Sequence, residues 1–279
     1  MTLLAHDRYC DEIARQVGRL RTVLTSGADL SATVPTCPDW TLEDLVRHVG
    51  RALRWTELIV RTRAEEDVPL DRAPGSAGPG AQGDATALDA WLAESGSAVV
   101  DTLREAGPDA RAWSWAGIDN AGFWARRVTH ELVVHGADAA LAAGRPFEAV
   151  AAEVAADAVD EWLEIVRFVQ RVLPDAPARE LRAPGRSIHL HATDTAVGLD
   201  AGRSGAGVPA SEGWGRVIEL PEDGVTWRRG HEKASVTLRG PLTSVLLAFY
   251  GRLPLSAPEL QVVGDRELLE LWLEKAKFG

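Results

Sequence analysis

The chain has 279 residues, of which 46% are hydrophobic and 25% charged, with 30 Lys plus Arg against 41 Asp plus Glu. A formal charge of -11 and a pI of about 5.2 weigh against a nucleic-acid binder, which presents basic groups to phosphates. No apolar run nears the ~18 residues that span a bilayer, and the length allows one large domain or two ordinary ones.

The opening residues MTLLAHDRYCDEIARQ carry early acidic groups and no signal-peptide core, so a cytoplasmic protein is expected. Cys10 and Cys37 are the only cysteines. Lacking a CxxC spacing, they predict neither a disulfide framework nor a cysteine-rich metal site, and Cys37 reads as structural. Ile13, Val17, Leu20 and Leu24 recur at helical spacing, and Ser26-Gly27 ends that helix. Cys37-Pro38-Asp39-Trp40 reads as a turn before a second helix, with Thr41 and Asp44 as reciprocal caps. Leu42, Leu45, Val46, Val49 and Leu53 form its apolar stripe. Arg47, Arg51 and Arg54 lie on another face, read as a solvated face with local salt bridges rather than a seat for an anionic ligand. Residues 73–85 are rich in Gly and Pro and predict a flexible surface loop.

A third helix turns Leu88, Trp91, Leu92, Val99 and Leu103 inward and stops at Gly107-Pro108. A fourth covers residues 123–143, with Gly144 as its cap and Pro146 beyond. Four amphipathic helices predict a four-helix bundle. Trp40, Trp55 and Trp124 read as core before ligand cleft. A fifth helix, residues 147–172, is expected to leave the bundle and lead onward. After Pro174 the pattern changes to strands at residues 187–192, 214–220, 224–227, 234–238 and 260–263, with a hairpin around Pro221-Glu222-Asp223-Gly224. Helices at residues 241–250 and 266–277 complete a small α+β domain. The expected domains are residues 1–175 and 176–279, with a Gly/Ala-rich loop at residues 197–213. His189 and His191 share one strand face. A metal site there needs a third ligand, and an exposed or hydrogen-bonded pair is the expectation.

The stretch VTHELVVHG, residues 128–136, is one residue too long for the H-E-x-x-H signature of zinc proteases. On a helix, residues five apart such as His130 and His135 point about 140° away from each other. Glu131 and His135 are four apart and stack on one face. That pair can converge on one metal, whereas His130 points elsewhere, to an outer-shell or surface role. Trp124, Val128, Leu132, Ala139 and Ala142 mark the apolar stripe beside the pair, so Glu131 is expected inward. A carboxylate there is costly unless bound to a cation or paired, for instance with Arg127. His48 edges the buried stripe of the second helix. His48, Glu131 and His135 make a His₂Glu set that suits zinc with one position open, and also Fe²⁺, Ni²⁺ or Mn²⁺.

The stretches VPTCPDWTLEDLVRHVG (34–50) and FWARRVTHELVVHGADAALAAG (123–144) resemble the mycothiol-dependent maleylpyruvate isomerase family. That family belongs to the DinB-like group of metal-binding four-helix bundles. IHLHATD (188–194) and VTLRGPLTSVLLAFYGR (236–252) resemble its second domain, which is similar to sterol carrier proteins. The resemblance implies a two-domain α+β protein, a DinB-like bundle followed by a small sterol-carrier-like domain. It implies a divalent metal, zinc first, on His48, Glu131 and His135, and mycothiol as cosubstrate. The Arg-, Ala- and Gly-rich composition, that of a GC-rich genome such as an actinobacterium's, agrees with that thiol. Arg252, in FYGR, best matches the arginine of the second domain that approaches the family's site; Arg239 is second, and either is otherwise a surface residue. The implied activity is a metal-dependent isomerase or S-transferase that turns a metal-bound thiolate on a small, maleylpyruvate-like electrophile. The alternative is a non-catalytic metal or small-ligand binding protein of the DinB-like group. Asp138, three residues after His135, is placed to orient a neighbouring side chain.

Overall fold

The computed structural model describes residues 3–195 and 213–277; the predicted loop at residues 197–213 lies outside them apart from Gly213. The chain divides into two compact units, Leu4–Glu148 and Ala149–Gly279.

The first unit holds four helices, α1 (His6–Thr25), α2 (Leu42–Thr62), α3 (Ala85–Ala106) and α4 (Ala121–Ala142). Both α1 and α2 pack chiefly on α3 and α4. Thus α1 and α2 stand diagonally across the bundle, and the bare four-helix expectation gains a defined order. Residues 37–40, expected as a turn, form part of β2 (Cys37–Thr41), which pairs with β1 (Thr33–Val34) to make the link between α1 and α2. The cap of α2 is as expected: Thr41 Oγ1 accepts from the Asp44 N–H at 3.1 Å, and Asp44 Oδ2 accepts from the Thr41 N–H at 3.0 Å. Leu42, Leu45, Val46, Val49 and Leu53 are all buried. Gly144, at φ 63°, follows the end of α4 in the left-handed region glycine favours.

The arginine face of α2 keeps Arg51 exposed and carries the expected local salt bridges, with Arg54 also paired to Glu94, but Arg47 and Arg54 are partly covered. Arg47 pairs with Glu43 and donates to the carbonyls of Pro79 at 2.9 Å and Ala81 at 3.1 Å. Arg54 donates to Ser95 Oγ, and the Trp91 indole donates to the Gly75 carbonyl. The Gly/Pro-rich segment at residues 73–85 is therefore fastened to α2 and α3 at several points. Gly50 lies so close to Trp91 that a Cβ there would sit 2.3 Å from the ring.

The second unit begins with α5 (Ala152–Val172), so the boundary falls at Glu148 and not near residue 175. The reason is packing. Trp162 of α5 stacks on Tyr250 at 4.4 Å, and Tyr250 donates its hydroxyl to the Ala158 carbonyl. A five-stranded sheet runs in the order β5 (Thr226–Arg229), β4 (Gly215–Leu220), β3 (Ala183–Ala192), β6 (Val236–Gly240), β7 (Gln261–Gly264). Among the described strands only β3 and β6 are parallel neighbours. Helices α6 (Leu242–Phe249) and α7 (Arg266–Lys275) pack on β3 and β6. This is the expected α+β arrangement, with the hairpin of residues 221–224 joining β4 to β5.

Side chains alternate between the faces of β3. Leu190 is paired with Arg216, whose guanidinium holds Asp160 of α5 by two hydrogen bonds at 2.7 and 2.9 Å. Both partners are buried. Truncating one would strand the other's charge, a loss of about 3–5 kcal/mol. The Leu190 face is thus the one the helices cover, and His189 and His191 project from the other. Among the described residues, no helix is long and apolar enough to cross a membrane.

Candidate metal centre

Asn120 starts α4 by accepting the Phe123 N–H on its side chain. From there the helix runs unbroken through Glu131 and His135, which lie one turn apart. α2 packs against this face and brings His48. One ligand-capable atom from each of His48, Glu131 and His135 lies within 4.8 Å of the others. The two imidazoles meet edge to face, with centroids 5.1 Å apart. The three side chains, together with Leu53, Val128 and Leu132, line a cavity of about 20 Å³. That exceeds the ~10–15 Å³ needed for one water-sized occupant.

The electrostatics favour the neutral form of His48 beside this space. Burial first, and then the neighbouring His135, hold the His48 pKa below its ordinary value, with Glu131 opposing. His135 Nδ1 lies 3.0 Å from Asp138 Oδ2, and Asp138 is fully buried. Its other oxygen accepts the Thr36 hydroxyl at 2.5 Å. With the Asp138 carboxylate as acceptor, His135 donates from Nδ1 in the tautomer that leaves the Nε2 lone pair available. Asp138 is thus the orienting group its spacing suggested. Trp40 covers both rings, 4.8 Å from His48 and 6.4 Å from His135.

Some expectations change. Glu131 is not deep inside: its side chain is 40% exposed, at the rim, and Arg127 does approach it, at 3.3 Å on Oε2. His130 is fully buried edge-on to Tyr9, so it has no surface role. Trp124 is buried and Trp55 partly so. They pack at 5.2 Å and donate to the carbonyls of Trp113 and Val68, so of the three tryptophans only Trp40 meets the histidines. Cys37 sits partly buried in β2, and burial raises the Cys10 thiol to about 11, which leaves it unreactive. Arg252 and Arg239 belong to the second unit. Arg252 follows α6 and donates to the Tyr250 carbonyl at 2.9 Å, while Arg239 is exposed on β6 with Gln261 at 3.5 Å. His189 and His191, expected as an exposed or hydrogen-bonded pair without a third ligand, are joined in the fold by His231. The strand registers carry a signal for it: residue 191 faces 215, and 215 meets 230.

A helical bundle that gathers two histidines and a carboxylate beneath a tryptophan, ahead of a small mixed-sheet domain, defines a specific two-unit class. The sequence profile described as the mycothiol maleylpyruvate isomerase N-terminal domain matches residues 10–140, and that of the MDMPI C-terminal domain matches residues 153–271. The chain belongs to the mycothiol-dependent maleylpyruvate isomerase family. Its fold is that of the crystal structure of a mycothiol-dependent maleylpyruvate isomerase, with a TM-score of 0.54 at 16% identity over 94% of this chain and 95% of that one. A histidine-to-alanine mutant of that isomerase matches over the same shares, with a TM-score of 0.53. No curated protein matches the chain.

Proposed function

We propose that this chain is a mycothiol-using enzyme, an isomerase or S-transferase for a small maleylpyruvate-like electrophile, working at a divalent metal held by His48, Glu131 and His135. Reversible addition of the thiol to a cis double bond, rotation and elimination would give the trans isomer and return the thiol. Attack on an epoxide or halide would instead end as S-transfer. The observation that carries the reading is the convergence of three ligand-capable atoms within 4.8 Å around a space of about 20 Å³. The residues fit a metal: two imidazoles, of which burial holds His48 towards the neutral form, and a carboxylate suit zinc with a position open, and Fe²⁺, Ni²⁺ or Mn²⁺ after it. When bound, the metal supplies a Lewis-acid position that favours the thiolate form of a thiol near neutral pH. Asp138 holds His135 in the tautomer that presents Nε2. Trp40 stands beside the two rings and would form an apolar wall for a bound ligand. Arg252, with Arg239 second, is assigned to the substrate carboxylate, for which a guanidinium offers paired donors. Family membership and the isomerase named by the similar structure support an enzyme over a binding protein.

The test is metal analysis and turnover with mycothiol and maleylpyruvate. His135→Ala should lose most of the metal held at this site and at least ~100-fold in turnover while remaining helical. Full retention of metal at this site would remove the proposal, and saturable mycothiol binding without turnover would favour a binding protein. Arg252→Ala should raise KM for the substrate more than it lowers kcat; an unchanged KM removes that assignment.

A further inference from the structure

Five of the seven histidines fall into two clusters, and the second lies wholly in the sheet unit. We propose that His189, His191 and His231 form a second divalent-metal site, a three-imidazole set suited to zinc or another borderline first-row ion. One ring nitrogen from each lies within 4.8 Å of the others. The ring centroids make a nearly equilateral triangle of 5.0, 5.3 and 5.4 Å.

The hydrogen bonds around the triangle sort the nitrogens as a metal site requires. His231 Nε2 lies 2.7 Å from the Gly213 carbonyl, which can only accept, so Nε2 carries the proton and Nδ1 keeps a lone pair. That Nδ1 is buried without a hydrogen-bond partner. His189 bonds the Gly230 carbonyl. Its Nε2 is buried without a partner, so the bond uses Nδ1 and again leaves a lone pair unsatisfied. Metal-binding histidines donate their second ring N–H to a carbonyl or carboxylate in this way. Two buried acceptors without donors, in rings that meet edge to face at 5.3 Å, are costly unless something electron-poor fills the space. His189 is 5% exposed, so its unpartnered nitrogen is shut away from bulk water.

The backbone is shaped for the cluster. Gly215 on β4 lies across from His191 on β3. A Cβ there would come within 2.6 Å of His231 Cε1, so the bare strand position admits the third ring. His191 and His231 are only partly buried, which leaves a fourth coordination position within reach of solvent or a small ligand.

The experiment uses the tag-free full-length chain, stripped with a chelator, reloaded with Zn²⁺, dialysed and assayed by elemental mass spectrometry. His135→Ala should retain one equivalent with three imidazole nitrogens at about 2.0–2.1 Å by X-ray absorption. Adding either His231→Ala or His191→Gln to that variant should remove this equivalent, with far-UV circular dichroism unchanged. If the double variants keep the same zinc as His135→Ala, or if the absorption spectrum lacks three imidazoles, the site does not exist. The two clusters are separable in this assay. A wild-type chain that binds a single equivalent, lost in His231→Ala and kept in His135→Ala, would uphold this proposal and overturn the helical one.

Discussion

Asp138 shows how much a single side chain can settle at the helical site. Its carboxylate is fully buried, yet one oxygen meets His135 and the other the Thr36 hydroxyl. Those contacts explain why an acid is tolerated there, and they aim the imidazole. Replacing Asp138 with Ala should weaken zinc binding by about 10–100-fold, read by competition with a chelating dye. Asp138→Asn, which can still accept from Nδ1, should recover part of the loss. An Ala variant with wild-type affinity would show that Asp138 only fills space. At this scale the sequence is informative wherever the residues share one helix. The four-residue step from Glu131 to His135 and the three-residue step to Asp138 are set by helical geometry. The burial of His130 was not readable in the same way, because the opposite side of α4 meets Tyr9 of α1.

At the scale of the element, α2 matters because it carries His48, and its first turn is closed by Thr41 and Asp44. The Thr41 hydroxyl and backbone N–H donate to the Asp44 carboxylate and hold its pKa below the ordinary value. A depressed folded-state pKa means that the unfolded chain binds the proton more readily. The stabilisation is therefore complete above the unfolded carboxylate pKa, ~3.9, and is lost as pH falls through the lower folded value. Asp44→Asn should destabilise the protein by about 0.3–1 kcal/mol at pH 5–7, the worth of a charge near a helix start. The gap between variant and wild type in thermal unfolding should close below about pH 4. A gap that persists undiminished at pH 3 would assign the effect to something other than the carboxylate charge. The arginines of α2 teach a complementary lesson. Their spacing marks a shared face, but only the folded loop shows that Arg47 binds the carbonyls of Pro79 and Ala81.

For the whole molecule, the question is which parts can stand alone. The buried apolar cluster of the bundle draws all its members from Tyr9 to Ala139. A core of that extent is enough for a domain of roughly 150 residues. A chain ending at Glu148 should therefore fold, with strong helical circular dichroism and a single cooperative melt. It should bind metal at the His48 cluster and lack the equivalent assigned to His231. A fragment without a cooperative transition would mean that the bundle depends on the second unit.

The sequence by itself determined the elements and the pairings within them: the helical stripes, the cap at Thr41, the sheet strands, the Glu131–His135 couple and the shared face of His189 and His191. Each of these is encoded in the period of one backbone segment, 3.6 residues or two. Tertiary structure alone decided the rest. It brought His48 against α4, turned residues 37–40 into a strand, gave α5 to the sheet unit through Trp162 and Tyr250, and carried His231 over Gly215 to His189 and His191. Those outcomes join residues far apart along the chain, and whether such residues meet depends on how elements pack, which no local period contains.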